Sequence, residues 1–216
     1  MSKGRRPSYP GQQHSREDVE RAWGRFLDPN EVKNNLTAAM AFVAGFEILK
    51  DVVVEELRKF YSLPSQDVKY WEVSPDYELK VTSRSKDIAE ASLDWLKESG
   101  AIVEFDIETY QRLRKLRNEV VHKFHDFLSI KDRSVFVQEF PQLASLTRKV
   151  EIWWLREVIY PTGDHPGHVP EDATPNWDEA KTGGAVMVEW MAHVALSSME
   201  VSDSYLRDLF SQKPDA

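Results

Sequence analysis

The chain has 216 residues, enough for one domain with its own apolar core, and its 41% hydrophobic content is ordinary for a globular protein. It contains no cysteine, which excludes a disulfide framework, thiolate zinc sites and a cysteine nucleophile. The net charge of −8 argues against a surface that coats nucleic acid broadly, and leaves room for a local basic strip that holds a few phosphates.

Residues 1–16 are polar and carry Gly4, Pro7, Pro10 and Gly11, so they read as a disordered tail, with no apolar run of a secretory signal behind Lys3, Arg5 and Arg6. Ser15 with Asp18 three residues on predicts a capped helix over 16–27, closed by Asp28-Pro29-Asn30. Leu36, Met40, Val43, Ile48, Val52 and Leu57 recur at helical spacing, giving one helix over 31–61 or two joined near Gly45. The apolar stretch 38–49 inside it is broken by Gly45 and Glu47 and falls short of the roughly 18 residues a membrane span needs, so no membrane partner is expected and the cytoplasm is the expected compartment. The segments 68–71 and 77–81 flank Ser74-Pro75-Asp76 like two short strands around a turn, a small hairpin or irregular insertion near 63–86.

Helical spacing returns over 88–97, with Gly100 as its stop. Asp106 reads as the cap of a strong helix over 107–128, whose apolar stripe is Leu113, Leu116, Val120, Phe124 and Phe127. A further helix covers 141–159, with Pro141 in its first turn and Pro161 beyond its end. A loop spans 160–176, another helix follows Gly183-Gly184 to about residue 200, and Ser202 caps a last short one ending near Phe210. The expectation is an all-α bundle of about five to seven helices, a single domain over 17–212.

At about 100° per residue, Asn118 and His122 lie one turn apart on the 107–128 helix, Val121 and His125 continue that side, and Arg114 lies a turn before them. Arg117 is offset from His122 by about 140°, yet its long side chain can bend back toward the imidazole or reach one in a second subunit. An arginine fork holds a phosphate oxygen, a histidine moves a proton near neutral pH, and an asparagine orients either. Arg117, Asn118 and His122 are therefore the catalytic candidates, with Arg114, Lys123 and His125 as candidate substrate contacts.

The run Leu113-Arg114-Lys115-Leu116-Arg117-Asn118-Glu119-Val120-Val121-His122 resembles the signature of the HEPN superfamily, an arginine, often followed by a polar residue, that precedes a histidine by four to six positions. The resemblance implies a helical bundle that dimerises so that two motifs face one another, and in many members a metal-independent endoribonuclease of toxin–antitoxin, phage-defence or RNA-processing systems. It implies an active site of Arg117 and His122 supported by Asn118, no cofactor, RNA as substrate, a homodimer, and an antitoxin or defence-system protein as partner. Members inactivated by a nucleotidyltransferase often carry a tyrosine two positions after the histidine; Phe124 stands here, so that modification is not implied. Some members also carry an acidic and then a basic residue on an earlier helix, for which Glu47 and Lys50 are loose candidates.

Two other readings compete with catalysis: a non-catalytic HEPN-like dimerisation or partner-binding module in which Arg117 and His122 are structural, and a small-molecule or nucleotide sensor using an interhelical cleft. His122 and His125 with Asp126 could bind a metal, but no third ligand is evident, so no metal site is expected. Asp164, His165 and His168 read as solvated loop residues, and Trp153, Trp154 and Trp190 as core or interface aromatics. No glycine-rich phosphate loop, Gly-x-Ser-x-Gly elbow or His-Glu-x-x-His occurs.

Overall fold

The computed structural model describes residues 15–64, 71–129, 133–162 and 175–197. The chain is an all-α bundle with one two-stranded ribbon among those residues. The expected tail and the helix ending near Phe210 lie outside them, apart from residues 15 and 16.

Ser15 and Asp18 start α1 (Arg16–Phe26) as a reciprocal capping box: Ser15 Oγ accepts from the Asp18 amide at 3.1 Å, and the Asp18 carboxylate from the Ser15 amide at 3.2 Å. Asp28 stands just past the end of α1, as expected, where its amide donates to the Arg25 carbonyl at 3.2 Å. Its carboxylate accepts from the amides of Asn30 (2.8 Å) and Glu31 (3.4 Å) and so opens α2 (Pro29–Phe60), with Pro29 in the first turn, where its missing N–H costs nothing. At 32 residues α2 is the spine of the bundle, burying Ala38, Ala39, Phe42, Phe46, Leu49, Val53 and Leu57.

Gly45 does not divide α2. A Cβ there would lie 2.9 Å from Leu143 Cδ2 and 3.7 Å from Val188, so the glycine is the point at which two other helices press against the spine. Those helices are α7 (Glu139–Trp154) and α9 (Gly183–Leu196). Helix α7 begins two residues before Pro141 and runs on through a π segment, Leu155–Ile159, into a last turn, α8 (Tyr160–Thr162). Pro161 thus lies inside the final turn rather than beyond it. Helix α9 has its first amides satisfied from outside: the Glu151 carboxylate of α7 accepts from Thr182 Oγ (2.5 Å) and from the amides of Gly184 (2.9 Å) and Ala185 (3.1 Å).

The ribbon pairs β1 (Ser62–Pro64) antiparallel to β2 (Trp71–Val73), in the register Ser62 to Val73. The second strand expected at 77–81 is instead helix α3 (Pro75–Lys80). Ser74 Oγ accepts from the Asp76 amide at 3.3 Å, Pro75 occupies the first turn, Asp76 and Lys80 pair one turn apart at 2.6 Å, and Tyr77 is buried. Ser-Pro-Asp is a turn signal and a helix start at once, and burial of Tyr77 favours the helix.

Helix α4 (Ile88–Glu98) is capped by Asp87 and stops where Gly100 takes φ +78°. Helix α5 (Glu104–His122) starts earlier than expected, because Asp106 is not its cap residue. Asp106 sits in the first turn and its carboxylate accepts from the Val103 amide at 2.8 Å. The helix does not continue to 128. Lys123 leaves helical geometry (φ −124°, ψ 40°), and α6 (Phe124–Ser129) resumes at once. The break lets Phe127 turn into the core, with its ring 5.8 Å from that of Phe136, itself 5.1 Å from Phe42. Helices α2, α4, α5, α7 and α9 thereby enclose one core.

Candidate functional site

Helix α5 has two unlike long sides. One buries Tyr110, Leu113 and Val120, with Leu116 packed partly against the same core. On the other, Arg114, Asn118 and His122 follow one another at four-residue intervals, one above the next, and with Lys123 they line a shallow groove of about 350 Å³. His122 is the last residue of the helix. Its imidazole is exposed and has no hydrogen-bond or ion-pair partner among the described residues. Lys123 is exposed at the helix end beside it.

Arg117 points away from this groove, toward α2. Its Nε (3.0 Å) and Nη2 (2.5 Å) both donate to Glu47 Oε1, and its Nη1 donates to Asn118 Oδ1 at 3.3 Å. The other Glu47 oxygen accepts from Lys50 Nζ at 3.2 Å, one turn along α2. Burial pushes the Glu47 carboxyl up, but the bonds from Arg117 and Lys50 outweigh it and hold the group below the ordinary carboxylate range. The folded value being the lower one, whatever this pair adds to stability is present above the unfolded value and is lost as pH falls through the folded one. Arg117 does not bend back to His122 within one chain; Asn118 is the residue between them.

Arg114 makes a second ion pair, Nη2 to Asp87 Oδ2 at 2.5 Å, while Asp87 Oδ1 caps α4 through the amides of Ala89 (3.0 Å) and Glu90 (3.3 Å). Burial raises the Asp87 carboxyl, and Arg114 with those amides more than reverses the shift, leaving it low. The two ion pairs border a cleft of about 370 Å³ between α2, the start of α4 and α5, with Phe46, Tyr110, Ile88 and Ala89 among its lining. Arg114 and Asn118 belong to both the cleft and the groove. Burial pushes the Tyr110 phenol up to about 12, so it stays protonated at every physiological pH.

His125 does not share the strip, since the break at Lys123 places it on α6 rather than three residues further along the same helix. It is exposed, with Nε2 3.1 Å from Asp126 Oδ1. Among the described residues no three of His, Asp or Glu gather closely enough to hold a metal ion. Asp164, His165 and His168 lie outside the described residues. Trp153 and Trp154 join an aromatic cluster with Trp95 and Phe60, the first two with ring centres 4.9 Å apart, whereas Trp190 is exposed on α9. No helix among the described residues is long and apolar enough to cross a membrane.

Sequence reasoning did not reach Asp87, Phe46 or Tyr110, and it reached Glu47 and Lys50 only loosely. A signal for Glu47 was present: it is the first charge after Lys33 in an apolar stretch of α2, which is what a polar partner across the bundle requires, and Lys50 follows it one turn on. Compared with family models, with curated proteins and with solved structures, the chain matches none of them.

Proposed function

We propose that this chain is a HEPN-type, metal-independent endoribonuclease that acts as a homodimer, a toxin or phage-defence effector with an antitoxin or defence-system protein as its partner. The observation that carries the reading is the order on α5: Arg117 with one edge held by Glu47, Asn118 beside it, and an open His122 one turn on. Glu47 is then a positioning residue, which leaves the Nη1 side of Arg117, next to Asn118, as the side for a phosphate oxygen. His122 takes the proton of a ribose 2′-hydroxyl; O2′ attacks phosphorus and the bond to O5′ breaks. The departing O5′ takes a proton from His122 of the partner subunit. The products are a 2′,3′-cyclic phosphate and a 5′-hydroxyl. The net charge of −8 suits recognition of a narrow RNA feature better than binding of any strand.

The neutralised state of Arg117 favours a second reading, a non-catalytic dimerisation or partner-binding module in which the Arg117–Glu47 pair only joins α5 to α2. Cleavage of a labelled RNA pool by purified protein separates the two. In the catalytic reading the wild-type chain cuts, Arg117→Ala does not, and Glu47→Gln is slower by about ten- to a hundredfold with little change in melting temperature. Absence of cutting by the wild-type chain, with a clear loss of stability in Glu47→Gln, would leave the module reading.

The dimer face we infer lies beside the motif. Leu36 and Met40 follow the same face of α2 as Glu47, and Val121 is one turn beyond Arg117; all three are exposed, Met40 to 55% and Val121 to 47%. Met40→Asp combined with Val121→Asp is expected to convert a dimer to a monomer in light scattering and to stop cleavage. A wild-type chain that is strictly monomeric at working concentration would remove the composite site.

A further inference from the structure

Away from α5, a pocket of about 290 Å³ opens between α7 and α9, and it shares no lining residue with the His122 groove or with the cleft beside it. Ala144 and Ala192 make its floor, and half-buried Pro141 adds an apolar wall. Its polar side is Ser145, Arg148 and Glu189. The Glu189 carboxylate is half-buried, accepts no hydrogen bond among the described residues, and has no cationic group of theirs within ion-pair distance. Burial pushes its carboxyl up, and the more distant charges of Lys181 and Arg148 offset only part of that. Arg148 is fixed by the chain that leads into α9: Nε donates to the Ala180 carbonyl at 3.1 Å, and Nη2 to those of Trp177 (3.0 Å) and Asp178 (2.5 Å). Those acceptors are uncharged, so the guanidinium charge stays unpaired, and Nη1 donates to no described residue. Ser145 Oγ is exposed and equally uncommitted. A half-buried carboxylate without a donor carries a desolvation penalty that a bound cation relieves. A simple cation placed there also meets Arg148, and a simple anion placed on Arg148 meets Glu189. A small molecule with both charges and an apolar group satisfies the two at once.

We propose that this pocket binds a small apolar α-amino acid, with its ammonium on Glu189, its carboxylate on Arg148 Nη1 and Ser145 Oγ, and its side chain against Pro141, Ala144 and Ala192. The site stands independently of the ribonuclease reading.

The test is calorimetric titration of the full chain by L-valine, isobutylamine and isovalerate, which share a branched carbon end and of which only L-valine carries both charges. L-Valine is expected to bind tighter than either analogue by about tenfold or more, the contribution of one charge-assisted hydrogen bond. Glu189→Gln keeps the shape of the side chain and deletes its charge. It should weaken L-valine binding by about ten- to a hundredfold and leave isovalerate no weaker than before. Its melting temperature should be unchanged or higher, because no unpaired charge is then half-buried. If Glu189→Gln does not fold, the comparison of the three compounds on the wild-type chain decides alone. L-Valine that does not bind at millimolar concentration, isobutylamine or isovalerate that binds as tightly as L-valine, or an affinity for L-valine unchanged in Glu189→Gln, overturns the site.

Discussion

His122→Ala is expected to reduce RNA cleavage by about a hundred- to ten-thousandfold, the range a positioned acid or base contributes, while the melting temperature stays within a degree or so of the wild-type value. The two halves have separate causes. The imidazole is exposed at the last position of α5 without a partner among the described residues, so its removal opens no cavity and strands no buried polar group. Alanine is also the better helix former. Arg117→Ala is a less clean probe, because it also frees Glu47 from its main partner and costs about 1 kcal/mol of stability at a site this open to solvent. A His122→Ala chain that cuts as fast as the wild type, with its fold intact by circular dichroism, would end the catalytic assignment of that histidine.

The contrast between His122 and Arg117 also shows what a sequence can carry. Spacing along one helix is local, so the side of α5 that carries Arg114, Asn118 and His122 is legible from its four-residue intervals, whereas Arg117, expected to join the same strip, turns to Glu47 instead. Caps are local too: Ser15 with Asp18 and Gly100 behave as their residue types dictate. The partners of the arginines are not local. Glu47 is 70 residues from Arg117 and Asp87 is 27 from Arg114, and only the packing of α2 and α4 against α5 makes them neighbours. Where local signals are ambiguous, burial decides. Ser74-Pro75-Asp76 fits a β-turn as well as a helix start, and Tyr77 settles it by turning into the core as helix. The end of α5 is similar: the apolar stripe runs past residue 122 without interruption, yet the backbone breaks at Lys123 and carries Phe127 onto Phe136. That break matters for the site, because it separates His125 from His122 and leaves one histidine, not two, above Asn118.

One histidine at each copy of the candidate site has a chemical consequence that can be measured. With no cysteine in the chain and a single imidazole beside Asn118, the proposed cut relies on the 2′-hydroxyl of the substrate itself as nucleophile, and needs no metal-activated water. Cleavage by the purified protein should therefore proceed at an unchanged rate in excess chelator. Each cut should leave a 2′,3′-cyclic phosphate or its hydrolysed form on one fragment and a 5′-hydroxyl on the other. One 2′-deoxy substitution immediately 5′ of the scissile phosphate should abolish cutting at that junction and leave cutting elsewhere intact, since it deletes the nucleophile and nothing else. DNA of the same sequence should be inert. Cutting at the deoxy position would show that the nucleophile comes from solvent. Activity lost in chelator and restored by a divalent cation would make the reaction metal-assisted, and His122 would then be a ligand or an orienting group rather than the proton carrier.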